Sequence, residues 1–515
     1  MILNLRLEYM TAYGEELYVV VDAAKEKAYP MQYVGNGRWE ASLKLAAASE
    51  LTYRYEVRYG ESVIRKEWGA KHHLSLDKKV ATLRVADRWH DMPSDRSFHS
   101  SMFTDGVFRR PKAKKLQSVA EGYVTFRADI ATVRSTQHVV MVGEGKALGN
   151  WDVAKGVVMN DAEAPIWSAR LKAPKAPFAY KFVIVDTASG DVVAWQAGEN
   201  YYFDLALTEG EALVVEGLRP HFDLAPWRGA GVAIPVFSLR SEGDWGCGEF
   251  LDLKKMADWA SAAGMSVIQL LPVNDTNSTG TWKDSYPYNA VSSFALHLLY
   301  INPAAVVEAC AKVADATTKR KLRSTLKKYA AEGAELNKLE VVDYEAVMRL
   351  KTEFLHEVYA MCGAEVLATK EYKTFYSESE DWLLPYMVFC VQRDKYHTCR
   401  FSEWKELSTF DKKKVAAYAK KNADKVGFYG FVQYLLDAQL CDVQSYLHSK
   451  GVALKGDIPI GVSPISVDVW CAPELYNTTM SAGAPPDAFA EDGQNWGFPT
   501  YNWDVMEQDN YLWWQ

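Results

Sequence analysis

The seven cysteines of this 515-residue sequence form no Cys-x-x-Cys pair, and none precedes Cys247. That pattern excludes a disulfide framework and a cysteine-rich metal ribbon, and it suits a reducing compartment. Apolar runs of membrane-spanning length are missing, and the opening MILNLRLEYMTAYGEE lacks the cationic region, apolar core and small-residue cleavage site of a secretory signal. The expectation is a cytoplasmic protein with no membrane partner. Positive charge is also scarce: 58 Lys and Arg against 66 Asp and Glu leave a net charge of -8. Such a balance offers no field for a phosphate backbone, so nucleic acid is not expected as a partner. The basic runs from Lys319 and Lys412 alternate with Leu, Val and Ala at helical spacing and read as solvated helix faces. What is present, 49% hydrophobic and 24% charged residues, is the composition of a globular chain long enough for several cores.

An internal repeat organises the first two hundred residues, at an offset of ~127. GRWEASLKL around Trp39 answers PIWSARLKA around Trp167, YRYEV around Arg54 answers YKFVI around Lys181, and KEWGAKHHLSL at Trp68 answers AWQAGENYYFDL at Trp195. Both copies are short runs of Val, Tyr, Phe and Thr between Gly, Asn and Asp turns, which predicts two β-sandwiches, over residues 1–88 and 117–206. The aperiodic polar stretch 89–116 and the stretch 207–229 read as linkers. From residue 230 the pattern changes to GVAIPVFSL, FLDLKKMADWASAAG and SVIQLLPV, a strand, a helix ending at Gly264 and a second strand, hence a βαβ unit. Residues 302–450 are helical in pattern, and GVALKGDIPIGV then supplies a third buried strand, so the region 230–515 holds three strands of the parallel kind.

Several residues stand out on physical grounds. On one strand Tyr180, Phe182 and Ile184 share a face and Lys181 takes the other, which turns its ammonium outward where it can donate to hydroxyls. Trp151 sits in a Gly-Asn turn and Trp195 beside another turn, places where an indole can stay exposed and stack on a sugar ring. Trp68 either stacks a single sugar or serves the packing of its own sandwich, since its copy has Arg54 in place of Lys181 and no Gly-Asn-Trp turn. Asp457, after the third strand and before Pro459, either binds sugar hydroxyls or fixes loop amides. The stretch GDIPIGVSPISVDVW, PPDAFAEDGQNWG and YLWW, from Gly456 to Trp514, combines flat aromatic faces with amide and carboxylate acceptors, as a saccharide cleft requires.

LGNWD at residues 148–152, YKF at 180–182 and WQAGEN at 195–200 resemble the starch-binding site of carbohydrate-binding module family 20. The resemblance implies that Trp151, Lys181, Trp195 and Asn200 hold an α-glucan. GDWGCGEF at 243–250, DSYPYNAVSSFAL at 284–296 and PPDAFAEDGQNWG at 485–497 resemble the 4-α-glucanotransferases of glycoside hydrolase family 77. By that resemblance Tyr288 contacts a glucosyl ring with Ser285 nearby, Asp457 lies close to the cleft, and Asp487, Phe489, Gln494 and Trp496 belong to a mobile loop that guides the glucan. The resemblance also implies the fold: a multidomain chain, two all-β starch-binding sandwiches followed by the N-terminal part of a (β/α)8 TIM barrel with a helical insertion about 302–450. It implies a retaining transfer of α-1,4-glucans from a maltose or maltodextrin donor to a starch- or glycogen-like acceptor, without metal or organic cofactor. The family's three essential acids lie on later barrel strands, with the nucleophilic Asp beyond Gln515, so no residue here is assigned as catalytic. The expectation is a polypeptide that binds α-glucan without turning it over. Two other readings stay open: an α-amylase-type hydrolase and a non-catalytic glucan-binding protein.

Overall fold

A computed structural model of the protein describes residues 1–22, 26–110, 113–172, 174 and 177–514. Gln515, and Pro111 and Lys112 within the stretch read as a linker, lie outside these residues. The chain divides into two compact units, Met1–Arg228 and Gly229–Gln515.

In the first unit the sequence repeat becomes a repeat of strand pairing. Strand Ile2–Glu8 pairs antiparallel with Arg38–Lys44 and parallel with Thr82–Arg88, and Tyr123–Asp129 makes the same two pairings with Ile166–Lys172 and Glu211–Leu218. Thr82–Arg88 and Glu211–Leu218 then pair in parallel, so one eight-stranded sheet runs through both copies. Each copy adds a five-stranded sheet, one centred on Glu15–Asp22 and Glu50–Tyr59, the other on Gln137–Gly143 and Phe178–Asp186. Leu5, Val19, Trp39, Tyr53 and Leu74 belong to one core, and Phe126, Met141, Trp167, Tyr180 and Phe182 to the other. Equivalent indoles anchor each core, Trp39 donating to the Tyr9 carbonyl at 3.2 Å and Trp167 to the Ile130 carbonyl at 3.1 Å.

The two stretches read as linkers are structured, which corrects that reading. Residues 207–229 contain the strand Glu211–Leu218. Its run of successive apolar residues has a direct cause: Ala212 and Val214 join the first core while Leu213 and Leu218 join the second, so both faces are buried. Residues 89–116 carry a short 3-10 turn at Arg96–His99 and a π-helical turn at Met102–Val107. They are held by an aromatic cluster in which Phe103 meets Phe98 at 4.9 Å and Trp227 at 5.0 Å edge-on. The Arg110 guanidinium also donates to Asp161 at 3.0 Å.

The second unit is built on Gly231–Ala233, Val267–Gln269 and Ala453–Lys455, which pair in parallel in that order. These strands are shorter than their apolar runs suggest, because Pro235 opens a 3-10 turn at Val236–Ser238 and ends the first early. Helix Asp252–Ala262 crosses between the first two and gives way to Gly264, whose φ of 74° suits a residue without Cβ. Helices Pro303–Val313, Ala316–Asn337, Tyr344–Leu367, Lys370–Tyr396, Lys412–Lys421 and Ala423–Ser449 fill the interval between the second and third strands. Asn302, Asp315, Asp343, Thr369 and Asp411 cap five of them through their side chains. Among the described residues no helix is long and apolar enough to cross a membrane.

One buried ion pair fastens this helical layer to the strand ends. Lys351 Nζ lies 2.8 Å from Glu249, both side chains being at most 1% exposed, and it also donates to the carbonyls of Leu299 and Ile301 at 2.7 and 2.9 Å. Burial pushes the Glu249 carboxyl up to about 7, against the opposing pull of Lys351. Removing one partner strands the other charge, so Lys351→Met is expected to cost about 3–5 kcal/mol in urea unfolding. The double variant Lys351→Met/Glu249→Leu is expected to recover most of that loss; a double variant no better than the single one would count against the pair as the cause.

Candidate functional site

The outer face of the five-stranded sheet in the second copy gathers the residues singled out there. Tyr180, Phe182 and Ile184 face the core, and Lys181 shares the opposite face with Val183 and Val185. Trp195 pairs with Val183 across the strands, and Trp151 packs partly on the patch of Val140, Val142, Val183 and Val185. Both indoles therefore border one sheet face, Trp195 being 42% exposed. The tight turn before Trp151 needs left-handed backbone at Gly149, Asn150 and Trp151, with φ of 77°, 49° and 68°. Lys181 does not reach freely outward: its Nζ donates to the carbonyls of Gln196 and Gly198 at 3.2 and 2.7 Å. It thereby clamps the turn that carries Trp195 and the exposed Asn200, and an ammonium has one further N–H to give.

Trp68, at the matching place in the first copy, has a different environment. His99 meets its ring edge-on at 5.4 Å and the Arg219 guanidinium lies 5.8 Å from its centroid, so the indole is partly covered. Arg54, at the place of Lys181, pairs with Glu26 at 3.0 Å instead of clamping a turn. Exposed aromatic surface in this copy lies elsewhere, on Tyr13 and Tyr33, the latter tilted against Trp39 at 5.2 Å. Sequence reasoning missed these two; a tyrosine before Gly14 and another shortly ahead of the repeated Trp39 were the available signal.

In the second unit, three loops follow the C-terminal ends of the parallel strands. The structure brings Tyr288 and Asp457 together across 169 residues, the phenol donating to the carboxylate at 2.9 Å. That bond raises the Tyr288 pKa. Tyr286 stands exposed beside it with ring centroids 5.7 Å apart, and Ser285 is exposed at the end of the 3-10 turn Trp282–Ser285. The later loop is a hairpin in which Gly483–Ala484 pairs with Gln494–Asn495. Asp487 is spent on its own turn, accepting from the Phe489 and Ala490 amides at 2.8 Å each, and this presents Phe489, 98% exposed, at the tip. Trp496 donates to Gln494 at 3.0 Å, and Phe498 packs so closely on Gly461 that a Cβ there would lie 2.1 Å from the ring. The hairpin is thus seated on the loop that bears Asp457.

Three buried carboxylates that sequence reasoning did not single out fix these loops. Asp284 accepts from the amides of Ser278, Thr279 and Gly280 at 2.7–3.1 Å, Asp275 from Asn277 at 3.0 Å and the Tyr386 hydroxyl at 2.8 Å, and Asp468 from the Ser293 amide at 3.0 Å. Asp275 and Asp284 bond amides of their own loops, Asp468 lies between Val467 and Val469, and the bonds of Asp275 to Tyr386 and of Asp468 to Ser293 span 111 and 175 residues, which no local pattern marks.

The 4-alpha-glucanotransferase family matches residues 234–515, and the starch binding domain family matches residues 122–212. A 4-alpha-glucanotransferase of Oryza sativa subsp. japonica is 34% identical over 543 aligned positions, covering 99% of this chain and 55% of its own length. One from Chlamydia caviae is 36% identical over 288 positions, covering 55% of this chain and 51% of its own. The chain thus spans about half the length of the curated relatives it matches. Among solved structures, an amylomaltase from Streptococcus agalactiae in complex with acarbose aligns with 25% identity and a TM-score of 0.46 over 56% of each chain.

Burial raises the Asp468 carboxyl from its ordinary 3.8 to about 6. A raised folded-state pKa means that its contribution to stability is present in full below the unfolded value and is lost as pH climbs through the folded one. Relative to Asp468→Asn, the parent chain is therefore expected to lose about 2–3 kcal/mol between pH 4 and pH 7. Chemical unfolding at the two pH values reads this directly, and parallel pH profiles for parent and variant would contradict it.

Proposed function

The chain belongs to the 4-alpha-glucanotransferase family of glycoside hydrolases, and we propose that it supplies the glucan-gripping part of a retaining transglycosylase acting on α-1,4-linked maltodextrins. The observation that carries this reading is the meeting of Tyr288 with Asp457 on loops that follow adjacent parallel strands, the Asp457 loop also packing at Gly461 against Phe498 beside the exposed Trp496. Loops at the C-terminal ends of strands are where a (β/α)8 barrel carries its substrate, and we take the three parallel strands as the first part of such a barrel. Tyr288 and Asp457 then contact glucosyl hydroxyls, with Ser285 beside them, while Phe489, Gln494 and Trp496 line the path of the glucan. Asp487 shapes the tip of that loop through its own turn.

The two copies in the first unit act as starch-binding sandwiches of unequal quality. Trp151 and Trp195 offer two stacking faces and Asn200 a side-chain amide, with Lys181 holding the geometry. The covered Trp68 is assigned to packing, and Tyr13 and Tyr33 are the better sugar platform of the first copy. Seven unpaired thiols fit a cytoplasmic protein.

Chemistry with retention needs two carboxyl groups about 5–5.5 Å apart across the scissile bond. Of the carboxylates on the loops described, Asp457 is bonded to Tyr288 and Asp487 to its own turn.

Calorimetric titration of the 515-residue chain with β-cyclodextrin and maltoheptaose tests the binding assignment. Trp195→Ala is expected to weaken binding by about 1–3 kcal/mol, and Trp68→Ala to leave it nearly unchanged. Equal affinity for parent and Trp195→Ala would end the platform assignment. The same polypeptide is expected to release no glucose from maltose; robust release would show that the acids are among the residues described.

A further inference from the structure

We propose that Glu67, His72 and His90, in the first copy of the repeat, form a binding site for a divalent transition metal of the zinc class. The three side chains come from different elements. His72 opens the strand His72–Ser75, Glu67 directly follows Ser62–Lys66, and His90 lies just beyond Thr82–Arg88. One ligand atom from each lies within 4.8 Å of the other two, and among the described residues no second group of histidine, cysteine and carboxylate side chains is so arranged. A tetrahedral ion with bonds of about 2.0–2.2 Å needs its ligand atoms roughly 3.4 Å apart, so a modest inward turn of the side chains closes the site. Imidazole with carboxylate suits zinc and its neighbours in the first transition series, and disfavours calcium or magnesium.

The surroundings resemble the outer shell of a metal centre. Glu67 is oriented by two backbone amides, from Tyr55 at 2.8 Å and His90 at 3.0 Å, and it faces His72 Nε2 at 3.2 Å. Behind the same imidazole, Asp87 stands 3.8 Å from Nδ1 and is itself held by the Tyr53 hydroxyl at 2.8 Å. A carboxylate behind a histidine ligand fixes its tautomer and raises its basicity. The side chains of His72 and Glu67 are 2% and 5% exposed, and His90 is half-buried.

One polar atom here has no hydrogen-bond partner, His90 Nε2; close by, the ring of the fully buried Tyr55 meets His72 edge-on at 5.9 Å. Leaving that nitrogen bare is unfavourable, and a metal ion gives it a partner. Space beside His90 Nε2 is kept open by Gly217, where a Cβ would lie 3.1 Å from that nitrogen. Because the Trp68 amide donates to the His90 carbonyl at 2.9 Å, the ion would pin the turn that bears Trp68 to the end of strand Thr82–Arg88. Its role is structural.

The test uses the full 515-residue chain, stripped with a chelator and titrated with Zn²⁺ alone, with Co²⁺ as a spectroscopic stand-in. The expected result is one equivalent of Zn²⁺ bound, a rise in Tm, and X-ray absorption showing nitrogen and oxygen ligands at about 2.0–2.1 Å. His90→Ala is expected to lower affinity at least tenfold while keeping the circular dichroism and cyclodextrin binding of the parent. Should His72→Ala fail to fold, His90→Ala and Glu67→Gln still decide the matter. Absence of stoichiometric binding by the parent chain, or undiminished binding by His90→Ala, would overturn the proposal.

Discussion

Three groups of exposed aromatics assigned to saccharide contact sit on or beside a turn or loop whose backbone is gripped by one charged side chain. Lys181 holds two carbonyls of the turn after Trp195, Asp284 holds three amides ahead of Ser285, Tyr286 and Tyr288, and Asp487 holds the two amides that present Phe489. The constraint is one of solvation. A charge that gives up water contacts must regain them through hydrogen bonds, and backbone groups of a nearby loop are the densest source of donors and acceptors. The loop gains a single conformation in return. A ring on such a loop meets a sugar with little entropy left to lose, which is why stacking can yield affinity at a solvent-exposed place.

This explains how much was legible in the sequence. The repeat, its strands, the position of Lys181 opposite Tyr180 and Phe182, and the three parallel strands all follow from local periodicity, which one sequence records. The use of Lys181 does not, because whether an ammonium points at a ligand or at a carbonyl is decided by the path of a turn fifteen residues away. The contact between Tyr288 and Asp457 was expected only in the loose sense that both border one cleft; their bond spans 169 residues. Asp275 and Asp284 were passed over because isolated acids in polar loops look like solvated ones until their donors are known, and Asp468, between Val467 and Val469, because its donor Ser293 is 175 residues away.

The stretches read as linkers misled for a related reason. The run EALVVEGL has no period of two, since both of its faces are covered, and a pattern without alternation looks like neither a sandwich strand nor a helix. In the structure it is the seam of the first unit, with Ala212 and Val214 in one core and Leu213 in the other. A continuous sheet across a duplicated fold needs such a strand, because an edge of either copy left unpaired would expose a row of amides and carbonyls.

Duplication also explains why Trp68 and Trp195 differ although they occupy the same place in the repeat. What covers Trp68 is supplied by the connecting segments, His99 from the stretch between the copies and Arg219 from the stretch after them. The second copy keeps the Lys181 clamp and leaves Trp195 open, whereas in the first copy the arginine at the clamp position has turned to Glu26. An indole with an edge-on imidazole and a guanidinium near its face has already satisfied the contacts a sugar would make, and displacing them costs what the sugar would return. The same fold therefore yields a binding surface or a packing surface according to whether its connectors pass over the platform, and connector sequence, more than strand sequence, separates the two.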